Sequence, residues 1–561
     1  MRRLIPSPLM GEGQDGGEPA GLREAEPVQT ITNQPRALAA RRRVTLHTHD
    51  ILTIAAAIVP DRAALVHDGV TLTYEGLADR ANRLANALAA NGVEAGDRVA
   101  VMDVNTPVHF EAYFAAARLD AVYVPLNFRG HGEEVGYPLR HASPKAVVAG
   151  ERYAPLIADL GADVASSSVF AVDGAAPDGW RSYEALLAEG DADEMRFPEG
   201  SPDETAVLLY TAGTTGQPKA VMLSHDSFTS FMLANMEPPD PDVEERTLLT
   251  LPLYHIAGLQ AALAGAFGGR TVVLQRQFEP REWMALVQEH RIERAIIVPT
   301  MLKQLLDHTE FPAHDLSSLR VLTYGGASMP PPVIERAVAA MPGVQFINAF
   351  GQTETGSTIA MVPPEDHVLD GPPDAVEKRR RHLRSIGRPL PDVEVRIVDE
   401  EGHELAAGEH GEIAARGPRL MRGYWGQPEA TAQTVHGGWL YTGDLGYMDE
   451  DGYIYLTGRA KDFIKRGGEM VAPEEVEQLL HACLGVEECA VIGVPDETWG
   501  ERVMAVVVPT PGAEPSEDAL LDACHTLARF KRPEHVVFVS ELPRNALGKV
   551  LKNDLRARFG A

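Results

Sequence analysis

Between Tyr210 and His225 the chain reads Tyr-Thr-Ala-Gly-Thr-Thr-Gly-Gln-Pro-Lys-Ala-Val-Met-Leu-Ser-His. Three hydroxyls (Thr211, Thr214, Thr215), the backbone N–H groups around Gly213 and Gly216, and the ammonium of Lys219 fall in this one stretch. Converging on an anion, they would form a nest of donors plus one positive charge, which is a phosphate cradle. The glycines permit the tight backbone angles that convergence needs. It is not a Walker A loop, because Lys219 follows Gln217-Pro218 instead of standing directly after a glycine. A polar surface turn that happens to carry a lysine would have the same composition, and the stretch alone leaves both readings open.

The elements that must position such a loop are legible around it. The apolar run 206–209 predicts a short buried strand feeding the turn. Helices are expected over 50–59 and over 74–91, where Leu77, Ala81, Leu84, Ala85 and Leu88 make one apolar stripe. Strands over 98–102, 121–125, 145–149 and 168–173 alternate with helices such as 108–118. After the loop, strands over 271–274, 294–298 and 319–324 alternate with helices over 280–290 and 301–306. That alternation predicts βαβ units and mostly parallel, helix-flanked sheets, an α/β fold. From 393 the pattern turns to short strands (393–398, 411–414, 452–456) between glycine-rich turns, which predicts a small antiparallel, barrel-like part. Beyond 459 a compact α+β pattern follows, with helices over 473–484 and 517–530 and strands over 489–493, 502–508 and 535–539. The expected organisation is a flexible tail (1–45), a large domain (46–460) and a small mobile domain (461–561). The basic run 378–382 lies among Pro and Gly and is expected as a solvated loop, with contact to an anionic ligand or partner as the other reading.

At 561 residues the chain exceeds one ordinary core. Its 44% apolar and 23% charged content are those of a globular protein. A net charge of −29 argues against nucleic acid and anionic membrane as partners. Cys483, Cys489 and Cys524 make no metal or redox spacing and are expected to be reduced thiols in the cytoplasm. No stretch approaches the ~20 apolar residues of a membrane span. No h-region separates Met1-Arg2-Arg3 from the Gly/Glu-rich residues 11–19, so a signal peptide is not expected.

Further stretches carry candidate chemistry: Leu251-Pro252-Leu253-Tyr254-His255, Gly325-Gly326-Ala327, Asn348-Ala349-Phe350-Gly351-Gln352-Thr353-Glu354, Tyr441-Thr442-Gly443-Asp444, Gly458-Arg459-Ala460-Lys461-Asp462, Lys465-Arg466-Gly467-Gly468-Glu469 and Pro543-Arg544-Asn545-Ala546-Leu547-Gly548-Lys549. Taken singly, each has a plain alternative: a core histidine, a surface carboxylate, an idle terminal lysine. In this order, with the Thr211–Lys219 loop, they resemble the motifs of the adenylate-forming superfamily, which includes acyl-CoA synthetases, amino-acid adenylation domains and beetle luciferases. The resemblance covers about residues 50–561. It departs where Ala212 replaces the usual Ser, Ala220 the usual Gly and Phe350 the usual Tyr. The cradle keeps its other hydroxyls, and stacking survives without the phenol.

The resemblance implies ATP, Mg²⁺ and coenzyme A as cofactors. The cradle, with Thr211, Gly213, Thr214, Thr215, Gly216 and Lys219, would hold the phosphates. Gly326, Ala327, Asn348, Ala349 and Phe350 would receive adenine, Thr353 would contact the α-phosphate, and Glu354 with Thr211 would hold Mg²⁺. Asp444 and Arg459 would hold the ribose and Lys461 would be the domain pivot. Gly467 and Gly468 would pass pantetheine, with Lys465 near phosphate. His255 would gate the acyl pocket, and Lys549 would be the catalytic lysine. Amino-acid-activating relatives carry an Asp about where His255 stands, and no carrier domain follows in this sequence. The expectation is therefore a free-standing acyl-CoA synthetase acting on a fatty or other apolar acid. Acyl-adenylate transfer to a carrier protein, or a catalytically silent binding relative, are the alternatives. Nucleic acid and an integral membrane segment are not expected, and a homodimer stays open.

Overall fold

Leu77, Ala81, Leu84, Ala85 and Leu88 form the buried face of the helix Tyr74–Ala90 in the computed structural model of the chain. Thr73 caps this helix by accepting from the Gly76 N–H at 3.0 Å. Burying each leucine contributes about 1.5–3 kcal/mol, so the stripe, more than helix propensity, holds the element in place. The structure describes residues 46–560 apart from 165–166, 175, 194–195, 212–217, 460–461, 467–468, 497 and 545–549. The expected tail, Gly213, Thr214, Thr215, Gly216, Lys461, Gly467, Gly468 and Lys549 lie outside the described residues.

The strands predicted in the first half assemble into two large sheets. In one, Arg98–Met102 lies between Val122–Pro125 and Ala146–Gly150, all parallel, and Thr205–Thr211 extends it beyond Val122–Pro125. Lys219–Ser224 and then Gly423–Tyr424 continue that edge in antiparallel sense. In the other, Arg246–Leu249, Thr271–Leu274, Arg294–Ile297, Val321–Gly325 and Gln345–Gln352 run parallel, and Ser357–Val362 folds back against the last of them. The helices Pro107–Arg118 and Ile256–Phe267 share the apolar core around Leu84, Phe114 and Leu263. The fold is thus α/β with parallel, helix-flanked sheets, as the alternation predicts.

Glu394–Val398, Gly411–Arg416, Trp439–Met448 and Ile454–Arg459 pair antiparallel in a third sheet, the barrel-like part. The last part of the chain is α+β. There Val486–Asp496 and Gly500–Pro509 form a hairpin covered by the helix Pro473–His481. Lys303 of the helix Pro299–Asp307 ion-pairs with Glu487 at the start of that hairpin. Among the described residues, no helix is long and apolar enough to cross a membrane.

Two expectations need correction. The basic run 378–382 is not a loop: it ends the helix Pro373–His382. Pro373 pre-sets the first helical φ, Asp374 sits at the positive end of the dipole, and the cations gather at the negative end. The charges are also engaged: Lys378 meets Asp451 at 3.0 Å, Arg380 meets Glu335 at 3.1 Å, and Arg379 donates to the carbonyls of Val368 and Asp370. The expected helix 517–530 stops at Ala523 and continues as separate 3-10 turns, Cys524–Thr526 and Arg529–Lys531. Arg532 donates to the carbonyls of Leu527 and His525 there, satisfying backbone groups that a continuous helix would have used itself.

Candidate active site

The strands Thr205–Thr211 and Lys219–Ser224 form a hairpin in which Thr211 stands directly opposite Lys219. The Thr211 hydroxyl donates to the Lys219 carbonyl at 3.4 Å. One hydroxyl and one ammonium are therefore brought to the same end of the hairpin. Lys219 Nζ rests 4.5 Å from the ring centroid of Tyr424. Tyr424 comes from the short strand paired onto the outer side of the hairpin, opposite Val221. Its phenol donates to Glu354 Oε1 at 3.0 Å. Burial, and then the Glu354 carboxylate, push the Tyr424 pKa up, which keeps the phenol a donor. Tyr424 was missed in the sequence. The available signal was its place in Gly423-Tyr424-Trp425, an aromatic pair amid glycines and prolines.

Two motifs far apart in the chain become neighbours through parallel register. Gly325 pairs with Ala349 and Tyr324 with Asn348, so Gly326 and Ala327 follow on beside Phe350. A Cβ on Gly325 would lie 2.1 Å from the Ala349 carbonyl oxygen, and one on Gly351 would lie 1.8 Å from that of Ser357. Both glycines are thus required by backbone approach. Phe350 is half-buried beside Ala360, Ile386 and Ile413, and Asn348 Nδ2 donates to the Ser385 carbonyl. The chain then tightens into the turn Thr353–Thr355, tied by the Gln352 N–H to Thr355 Oγ1 at 2.9 Å. The Met421 N–H donates to the Glu354 carbonyl at 2.9 Å, which links this turn to the segment carrying Tyr424. Gln352 Nε2 donates to the Thr442 carbonyl at 3.1 Å, bringing in the next motif.

Asp444 and Arg459 are cross-strand partners in the third sheet. Arg459 Nε donates to Asp444 Oδ1 at 2.7 Å, while Asp444 Oδ2 is buried with no partner among the described residues. An ionised carboxylate oxygen in that position is an acceptor waiting for a donor. A vicinal diol supplies such donors, so the pair fits a ribose.

His255 caps the helix Ile256–Phe267 with extended backbone and no side-chain capping bond. Its Nε2 and the Tyr254 hydroxyl are both buried without partners among the described residues. Burial, and then Arg129, lower the His255 pKa to about 3, so the imidazole is neutral. Phe128 meets Tyr254 edge-on at 5.2 Å, and the adjoining pocket of about 340 Å³ is lined by Phe128, Arg129, His131, Arg152 and Tyr153. Lys465 is exposed on the strand Ile464–Arg466, whose backbone is held by Glu501 through the Lys465 N–H at 2.6 Å. Arg544 and Val550 bridge antiparallel across the segment that contains Lys549.

Thr211, Lys219, Glu354 and Tyr424 therefore form one linked set. Gln352 joins this set to Asp444 and Arg459, while His255 stands on a separate helix. A cation, a carboxylate and a ribose-type acceptor fit a nucleotide with its divalent ion.

The sequence pattern of the family described as AMP-binding enzyme matches residues 52–425, and that of the AMP-binding enzyme C-terminal domain matches residues 475–549. A feruloyl-CoA synthase of Amycolatopsis sp is 37% identical, the match covering 90% of this chain and 97% of that protein. A fatty acid–[acyl-carrier-protein] ligase, ScoC, of Streptomyces coeruleorubidus is 36% identical over 89% of this chain and 94% of its own length. Among solved structures, ATP-bound MatB from Rhodopseudomonas palustris superposes with a TM-score of 0.80 at 32% identity, covering 91% of this chain and 99% of that one.

Proposed function

The chain belongs to the AMP-binding enzymes of the adenylate-forming superfamily and is an acid–thiol ligase, and from that premise we propose that it activates a fatty or other apolar carboxylic acid with ATP and passes the acyl group to coenzyme A in the cytoplasm. The observation that carries the reading is the Lys219–Tyr424–Glu354 chain at the mouth of the Thr211 hairpin. It holds one positive and one negative group in fixed relation around a single phenol.

A carboxylate resists nucleophiles because it is anionic and its oxygen leaves poorly. Attack of that oxygen on the α-phosphorus of ATP forms an acyl-adenylate and releases pyrophosphate, and negative charge builds on the phosphate oxygens. Positioned cations lower that barrier. Lys219 and the Thr211 hydroxyl are assigned to the leaving pyrophosphate, with Gly213, Thr214, Thr215 and Gly216 completing the cradle. Glu354, backed by Thr211, is assigned to Mg²⁺, which supplies charge neutralisation on phosphate oxygens when bound. Phe350, with Gly326, Ala327, Asn348 and Ala349, is assigned to adenine, and Thr353 to the α-phosphate. Asp444 Oδ2 and Arg459 are assigned to the ribose, and Lys549 to the transition state.

A thiol then attacks the acyl carbonyl and AMP leaves. Gly467 and Gly468, with Lys465, are assigned to the pantetheine path. Lys461 is assigned to the pivot of a small domain, 461–561. The pocket of Arg129, Arg152, Phe128 and Tyr153 supports coenzyme A as acceptor, because guanidiniums and aromatic faces suit its phosphates and adenine. The three cysteines are free, which supports a reducing compartment. His255, held neutral by burial, supports an apolar acid, because an uncharged side chain stands about where amino-acid-activating relatives carry an Asp for the α-ammonium. The test is a panel of acids scored for pyrophosphate release with CoA, with a pantetheinylated carrier protein and with neither. Apolar acids with CoA are expected to give thioester; activity confined to amino acids or to the carrier overturns the assignment.

A further inference from the structure

His47, Thr48, His49 and His225 are all buried, at a corner that plays no part in the site above. His47 caps the helix Thr48–Ile58, His225 opens the helix His225–Asn235, and Asp120 lies just beyond the helix Pro107–Arg118. A ring nitrogen of His47, a ring nitrogen of His225 and a carboxylate oxygen of Asp120 all lie within 4.8 Å of one another.

The contacts in this corner run in order. His47 Nδ1 accepts from the His49 N–H at 3.4 Å and lies 3.0 Å from His49 Nδ1, whose ring carries Nε2 3.2 Å from Asp50 Oδ1. His47 Nε2 stands 3.4 Å from Asp120 Oδ1, buried and without a hydrogen bond among the described residues. A ring nitrogen buried beside a carboxylate without a bond is a ready ligand atom. Asp120 Oδ2 is fixed by the Glu199 and Gly200 N–H groups at 2.7 and 2.9 Å, so Oδ1 is held toward His47. His225 Nδ1 lies 2.7 Å from Thr48 Oγ1, which leaves its Nε2 for a ligand.

We propose that His47, Asp120 and His225 form a site for a divalent cation of the zinc type. Two neutral imidazoles and one carboxylate are a ligand set for that class. With a cation on Nε2, each imidazole would carry its proton on Nδ1 toward an outer partner, His49 backed by Asp50 for His47 and Thr48 for His225, as metal-bound histidines do. Two other groupings lack this logic. Asp451 beside His382 and Asp449 already pairs with Lys378, and Asp399, Glu401 and His403 share a turn at the surface. The site would pin the helix Thr48–Ile58 to the helix that directly follows the Lys219–Ser224 strand.

The test uses the full chain, freed of metal with a chelator and kept without ATP or Mg²⁺, titrated with Co²⁺ and then Zn²⁺. About one equivalent of Co²⁺ with four-coordinate visible bands, displaced by Zn²⁺, is expected. Zn²⁺ should raise the melting temperature by a few degrees. Asp120→Asn keeps shape and should lower Co²⁺ affinity by ~100-fold, and His47→Ala likewise. Asp50→Asn, which breaks the proton relay, should lower it by ~10-fold. His403→Ala should change nothing. Absence of Co²⁺ binding by the unaltered chain, or binding that survives both Asp120→Asn and His47→Ala, overturns the proposal.

Discussion

Arg459 and Asp444 face each other across neighbouring strands, joined at 2.7 Å through Asp444 Oδ1, and the second oxygen of the carboxylate is buried with no donor among the described residues. The pair is therefore satisfied on one side and reserved on the other.

Asp444→Ala is expected to weaken ATP binding by about 2–5 kcal/mol, the cost of removing one member of a buried charged pair. Asp444→Asn, which keeps the shape, should lose less. Calorimetric titration with ATP checks this; unchanged affinity for the alanine variant removes the ribose assignment.

Tyr424→Phe removes the hydroxyl from Glu354 and keeps the ring under Lys219. Hydrogen bonds to charged groups contribute about 1.5–3 kcal/mol, so adenylation is expected to slow by ~10–100-fold, with a raised Mg²⁺ requirement. Tyr424→Leu should lose the cation–π contact as well and fall further. The readout is pyrophosphate release across a Mg²⁺ series, and equal rates for Tyr424→Phe and the unaltered enzyme would refute the linkage.

The two half-reactions should separate. Lys549→Ala is expected to lose acyl-adenylate formation by about 10²–10³-fold, the usual penalty for one transition-state donor. Given ready-made acyl-adenylate and CoA, it should still form thioester. Gly468→Leu and Lys461→Pro should do the reverse, by blocking the thiol path and by restricting the pivot backbone. If Lys549→Ala slows both halves equally, the small domain does not alternate between two roles.

Stability should fall in mild acid. His109 and His367 are each held neutral by the same pattern, one ring nitrogen on a backbone carbonyl (Asp103, Pro363) and the other against a tyrosine hydroxyl (Tyr123, Tyr324). Burial lowers both pKa values from 6.5 to about 4. Between these values the unfolded chain binds more protons than the folded one, so stability rises with pH across the window and is lost as pH falls from about 6.5 toward 4. Each group accounts for on the order of 3 kcal/mol by pH 4. His109→Gln should flatten the melting temperature against pH over that range; an unchanged slope would show that His109 does not titrate there.

Much of this protein was determined by its sequence alone. The helix Tyr74–Ala90 follows from a stripe that needs only local periodicity. The succession of strands and helices specified the α/β class, and the order of motifs specified the family before any coordinate was known. What periodicity cannot report is which strand lies beside which. Tyr424 reaches Lys219 and Glu354 because a two-residue strand pairs onto the edge of a hairpin formed far earlier in the chain. Gly325 meets Ala349, and Asp444 meets Arg459, through register, which depends on the packing of whole sheets. The basic run 378–382 read as a loop because proline and charge both suggest one. Tertiary structure made it helical by supplying Asp451 and Glu335 to its cations. The histidine corner is the same case: His47, Asp120 and His225 say little singly, and only the packing of three helix ends leaves a buried, unbonded imidazole nitrogen beside a carboxylate.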